Sequence, residues 1–180
     1  MSEPLEKILT RHAVDIWFPS LSDDEKKAIF DYTDIHYYKQ VNHALRSGNI
    51  SGNSSFSIRR VIKNLDSGLR KFQYNDAFIV YRRVSEAEYN FLENNKVIAT
   101  FSDFKSTTLL EDIALGFLQD ETKHIIVAQL PAFVNGAYIA PLSRFKNEKE
   151  FLLNKGAEYQ ILNKLYDKEK NIKYLFLKVV

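Results

Sequence analysis

The stretch Gly136-Ala137-Tyr138-Ile139-Ala140-Pro141-Leu142-Ser143-Arg144-Phe145-Lys146-Asn147-Glu148-Lys149-Glu150-Phe151-Leu152-Leu153 sets two acids one residue apart at the mouth of a strongly apolar run. Read as a strand, with a side-chain period of two, it directs Glu148 and Glu150 to one face and Lys149 to the other. Two carboxylates on one face repel, which raises the cost of ionising both. Such a pair sits either at a solvated strand entrance, the ordinary place for charge, or in a cleft whose chemistry uses it.

Around this stretch lie further β-branched and aromatic runs at Ala77 to Tyr81, Val97 to Phe101, Ile125 to Leu130, Tyr138 to Leu142, Phe151 to Leu153, Tyr159 to Leu162 and Tyr174 to Val180. Two short helices interrupt them, one opened by the capping box Ser85-Glu86-Ala87-Glu88 and one over Leu109 to Leu118. The chain before Phe72 reads differently. Leu5, Ile8, Leu9, Ile16 and Trp17 recur at helical spacing and stop before Pro19, and the capping box from Ser22 to Glu25 starts a second helix. A third helix spans Asp34 to Gly48, Gly48 to Ser55 is a loop, and Ile58, Val61, Ile62, Leu65 and Leu69 mark a fourth helix. Helices first and strands after, without regular βαβ alternation, predict an α+β domain on an antiparallel or mixed sheet. We read residues 1–180 as one domain, with a helical flank over 1–72 and a β-rich core over 73–180.

At 180 residues the chain can bury a core without staples, and it has no Cys for disulfides, thiolate chemistry or thiolate metal ligation. Against 23 acidic residues stand 25 basic ones, and a net charge of +2 gives no electrostatic case for nucleic acid or membrane. No apolar stretch approaches the ~20 residues of a membrane helix, and no signal-peptide pattern opens the chain. The four His at 12, 36, 43 and 124 lack metal-ligand spacing, so no metal site is expected. With six Gly and no Gly-x-Gly-x-x-Gly, a dinucleotide would not be held by a Rossmann phosphate loop.

Two distant motifs give the acids a context. Tyr81-Arg82-Arg83 ends an apolar run, and Phe104-Lys105-Ser106-Thr107-Thr108 precedes a helix. An Arg, then a Ser-Thr step, then Glu-x-Glu, in that order, resembles the arginine-directed mono-ADP-ribosyltransferase toxins. The likeness is to the enzymatic components of clostridial and bacillar binary toxins and the related insecticidal toxins, and it is densest from Gly136 to Ile161. It implies the ADP-ribosyltransferase fold: N-terminal helices on a core of two roughly perpendicular sheets.

The resemblance also implies roles. NAD would be the substrate, with no metal. Arg82 would anchor a phosphate and the nicotinamide ribose, a task suited to a guanidinium, and the backbone of Arg83 would hold the carboxamide. Ser106 and Thr107 would brace the cleft, Ser106 by bonding the catalytic Glu150. Glu150 would stabilise positive charge growing on the ribose, and Glu148 would deprotonate the acceptor guanidinium. Tyr38 and Asn42, at i and i+4 on the third helix, would line the NAD cleft, and Phe145 would meet the target protein. A Glu at the first acidic position goes with arginine acceptors in that family, and actin is the target its nearest toxins favour. A monomer is expected, exported or injected to act in the cytosol of a target cell, with the chain either a whole effector or one domain of a longer toxin.

Departures from the family pattern fall on the adenosine side. Ala87 stands where the binary toxins have a Gln, Asp103 where they have a cleft Asn, and Lys123 is the nearest cation to a further cleft Arg expected between Leu118 and His124. An NAD glycohydrolase, with water as acceptor, and a non-catalytic NAD-binding module remain the alternatives.

Overall fold

The computed structural model describes residues 3–48, 55–94, 98–116 and 122–180. The chain opens with a helical layer: α1 (Leu5–His12), a π-helical turn over Ala13–Trp17, α2 (Phe18–Ser20), α3 (Asp23–Tyr32), α4 (Ile35–Ser47) and α5 (Ser55–Arg70). The first helix does not stop before Pro19. The π turn places Pro19 at the start of α2, where its missing N–H is no loss. At α3 both halves of the predicted capping box form, Ser22 accepting from the Glu25 N–H and Glu25 from the Ser22 N–H. Asp34 caps α4 by accepting from the His36 N–H, and Gly48 ends it at φ 65°, a conformation that favours glycine. The loop expected at Gly48 to Ser55 lies largely outside the described residues.

The strands are β1 (Phe78–Val84), β2 (Ala99–Thr100), β3 (Lys105–Thr108), β4 (Lys123–Leu130), β5 (Gly136–Tyr138), β6 (Glu150–Leu153), β7 (Glu158–Asp167) and β8 (Ile172–Val179). Helix α6 (Glu86–Glu93) follows β1, and α7 (Glu111–Leu115) follows β3. Val97 of the expected second strand and Leu118 of the expected last helix fall outside the described residues. The strand expected over Tyr138 to Leu142 ends at Tyr138 instead. Beyond it the chain turns, the N–H groups of Leu142 and Ser143 both donating to the Ile139 carbonyl, because Pro141 has no N–H to continue a ladder.

All eight strands join one mixed sheet in the order β2-β7-β8-β4-β1-β3-β6-β5, with β4 and β8 the parallel pair. The two halves anticipated as separate sheets are linked through β1 and β3, whose register is the single pair Tyr81 and Thr108. This joint matters for function, since Arg82 leaves one side of it and Thr108 pairs with Glu150 on the other. The main core, including Trp17, Ile29, Leu65, Phe72, Phe104, Phe151 and Leu175, lies between helical layer and sheet. The Trp17 indole N–H donates to the Gly68 carbonyl at 2.8 Å, locking α5 against the first helices. Gly136 is fixed by packing, since a Cβ there would stand 2.7 Å from the Leu152 carbonyl oxygen. On the opposite face of the sheet a smaller cluster of Ala114, Ile125, Val127 and Ile172 seats α7. Among the described residues no helix is long and apolar enough to cross a membrane, and no group of three or more His, Asp or Glu is placed to hold a metal ion.

Candidate active site

Where the two halves of the sheet meet, Arg82, Ser106 and Glu150 line one cavity of about 250 Å³ together with Tyr32, Thr33, Ile35, Tyr38, Phe145 and Glu148. A second opening of about 300 Å³ reaches the same acids from the side of α7, past Arg83, Thr107 and Gly116. Motifs 24 residues apart or more along the chain thus converge because β3 pairs on both sides, with β1 and with β6.

Glu150 begins β6 and is 6% exposed. Burial pushes its carboxyl up to about 7; the Ser106 hydroxyl, donating to it, and the Arg82 charge pull the other way, while Glu148 adds to the rise. Arg82 is held as firmly. Its Nη1 donates to the Ser106 carbonyl at 2.9 Å, and its Nη2 lies 3.5 Å from Glu88. Burial works against its charge, but Glu88 and Tyr38 outweigh that and raise its pKa. The Arg82 Nε is buried without a hydrogen-bond partner. A buried donor left unpaired is costly, so this one is poised for an acceptor brought by a ligand.

Glu148 reaches the cavity by a different route from the one its spacing suggested. It closes a 3-10 turn over Lys146–Glu148, and Lys149 adopts a left-handed backbone, φ 49° and ψ 43°, before β6 begins. The two acids therefore do not share a strand face; the kink at Lys149 brings both to the cavity. Glu148 is exposed, with its carboxyl raised by partial burial. Phe145, 52% exposed, stands on the same turn, its N–H donating to Ser143 Oγ at 3.0 Å.

The other residues singled out by sequence divide into wall and support. Tyr38 lines the cavity and hydrogen-bonds Arg82. Asn42 lies one layer behind, buried, donating to the Tyr32 hydroxyl at 2.9 Å. Thr107 Oγ1 donates to the Phe151 carbonyl at 2.6 Å and so ties β3 to β6. The Arg83 guanidinium faces the end of α7, its Nη1 3.4 Å from the Leu115 carbonyl.

A cavity of about 500 Å³ adjoins the first through Tyr38 and Arg82, and Asp103, Lys105, Glu88, Arg46, Phe91, Phe101 and Tyr159 line it. Asp103 is buried there between Arg46 and Lys105, and Lys105 also bridges to Glu88 at 3.1 Å. Arg82, Glu88, Lys105, Asp103 and Arg46 thus form an alternating chain of three cations and two acids along the wall. Sequence reading missed Tyr32, Arg46 and Glu88. Glu88 carried a signal, as the acid of a capping box, but only half of that box forms: Ser85 accepts from the Glu88 N–H, while the Glu88 carboxylate turns to Arg82 and Lys105.

Comparison with known proteins agrees with this geometry. The family model described as ADP-ribosyltransferase exoenzyme matches residues 10–180. A curated relative, the NAD(+)--arginine ADP-ribosyltransferase EFV of Enterococcus faecalis, is 32% identical over 151 residues, which is 82% of this chain but 30% of that protein. The chain therefore spans less than a third of that relative's length. Among solved structures, C3stau2 from S. aureus with NAD superposes with a TM-score of 0.79 at 20% identity, covering all of this chain and 97% of that one. The ADP-ribosylating toxin BECa of C. perfringens with NADH gives a TM-score of 0.78 at 24% identity, covering 97% of this chain and 47% of that one. The fold is the one these toxins share, and the chain belongs to the ADP-ribosyltransferase exoenzyme family.

Proposed function

We propose that the protein is an NAD-dependent mono-ADP-ribosyltransferase that moves ADP-ribose from NAD to an arginine of a target protein and releases nicotinamide. The observation that carries this reading is the convergence of Arg82, Ser106 and Glu150 in one cavity with Glu148 at its mouth. Arg82, with its free buried Nε, and the three-cation wall suit the pyrophosphate of NAD. As the bond between ribose C1′ and nicotinamide nitrogen breaks, the electron pair leaves with nicotinamide and positive charge builds on the sugar. The Glu150 carboxylate, oriented by Ser106, stabilises that charge. The cationic nicotinamide ring favours the ionised form of an acid that titrates near neutrality. Glu148 then takes a proton from the acceptor guanidinium, whose nitrogen forms the new bond to C1′. Arg83 and Thr107 border the nicotinamide side, Tyr38 the ribose, and Phe145 the acceptor; Asp103 keeps Arg46 and Lys105 at the adenosine side.

Residues 1–180 act as one catalytic unit in this reading, and the setting is that of a secreted effector working in the cytosol of a target cell. Actin is the first acceptor to test. Incubation with labelled NAD and a host-cell lysate, followed by mapping of the label, is expected to find ADP-ribose on arginine side chains of a discrete protein. Label on another residue type would reject arginine as the acceptor, and nicotinamide release with no label on protein would reject transfer in favour of NAD glycohydrolase activity.

A further inference from the structure

The two acids of the cavity are held by two different layers of the molecule. Glu150 belongs to the sheet, paired with Thr108 and bonded by Ser106. Glu148 belongs to the turn between Ser143 and Lys149, and its carboxylate takes no hydrogen bond or ion pair among the described residues. Its position therefore depends on the backbone of the turn.

That backbone is tied to the helical layer at both ends. Immediately before Phe145, the Arg144 guanidinium lies over the Phe30 ring of α3 at 4.0 Å, and the Arg144 N–H donates to Thr33 Oγ1 at 3.2 Å. Immediately after Glu148, the Lys149 ammonium pairs with Glu6 of α1 at 2.6 Å. Lys149 also carries the left-handed backbone that separates the acids, and its carbonyl accepts from the Leu109 N–H at 3.2 Å. A lysine does not favour that conformation by itself, so tertiary contacts must hold it. Among the described residues, neither Arg144 nor Lys149 hydrogen-bonds or pairs with Arg82 or Ser106.

We infer that Arg144 and Lys149 are positioning residues for acceptor modification, and that the Glu6 to Lys149 pair couples the first helix to the placement of Glu148. The inference rests on the transferase reading above. Loosening either tie leaves Glu150 in its sheet and frees Glu148, so transfer to a guanidinium falls while NAD cleavage by water continues.

The test compares wild type with Lys149→Met, Glu6→Ala, their double variant, Lys149→Arg and Arg144→Ala. Each is incubated with NAD and a small guanidino compound, and the guanidine adduct and free ADP-ribose are both quantified. The adduct-to-hydrolysis ratio is expected to fall about tenfold in Lys149→Met, Glu6→Ala and Arg144→Ala, with KM for NAD within about twofold of wild type. The double variant falls no further than the worse single, and Lys149→Arg keeps a ratio within about twofold of wild type. Ratios unchanged from wild type, adduct and hydrolysis falling in parallel, or additive losses in the double variant would each overturn the coupling. A wild-type protein that hydrolyses NAD and forms no adduct would refute the arginine reading itself, and the coupling with it.

Discussion

Glu150→Gln should make the ligand-free protein more stable while removing its activity, and the gain should depend on pH. The carboxyl of Glu150 titrates near 7 in the folded protein against an ordinary value of 4.5, chiefly because it is buried. The folded state therefore binds this proton more tightly than the unfolded chain does. Below about pH 4.5 both states are protonated and there is no penalty; the penalty grows as pH rises towards 7 and is complete above it. Two and a half pKa units correspond to on the order of 3 kcal/mol. Glutamine fills the same space and accepts from Ser106 without ionising, so the variant escapes that cost. For a chain of this size the difference amounts to roughly 6–12 °C in Tm. Urea unfolding of wild type and variant from about pH 5 to about pH 8 measures it, the shared titrating groups largely cancelling in the comparison. A stability difference flat across that range, or a variant weaker than wild type at the alkaline end, would show that Glu150 is not ionised against its surroundings.

Glu148→Gln is expected to abolish arginine modification and keep NAD hydrolysis, seen by quantifying nicotinamide release with and without a guanidino acceptor; parallel loss would deny the acids separate tasks. Arg82→Lys keeps the charge but loses both the bond to the Ser106 carbonyl and the buried Nε, so NAD affinity by calorimetry should fall about tenfold or more. An unchanged affinity would remove Arg82 from the binding site. For wild type, kcat/KM for NAD should rise with pH through an apparent pKa of about 7 as Glu150 ionises, and a profile flat from about pH 5 to 8 would contradict its role as carboxylate.

Much of the molecule is legible in its sequence because local chemistry and tertiary structure agree there. The Ser22 capping box and the apolar period from Ile58 to Leu69 each predict an element that forms. The meeting of Arg82, Ser106 and Glu150 could be expected from the order of three motifs, although no local rule dictates it. The departures occur where a side chain serves a distant partner. Glu88 gives up its half of a capping box for Arg82, and Lys149 bends the strand expected at Glu148 because Glu6 and Leu109 hold it. Pro19 fails to stop a helix because a π turn shifts it to a tolerated position. Asp103, a departure from the family's cleft Asn, is buried between Arg46 and Lys105, two partners that no local pattern announces. Tyr32, which supports Asn42 and walls the cavity, carries no pattern in sequence that separates it from any other buried tyrosine.

The most direct test of the account follows the fate of one ribose carbon. Purified protein is incubated with NAD labelled in the adenylate half and a small guanidino compound, and the products are resolved by mass. The expected products are ADP-ribose joined through C1′ to a guanidine nitrogen and one nicotinamide per bond formed or hydrolysed, with no adduct from Glu148→Gln. Intact NAD after prolonged incubation, or an adduct formed equally well without Glu148, would contradict the account.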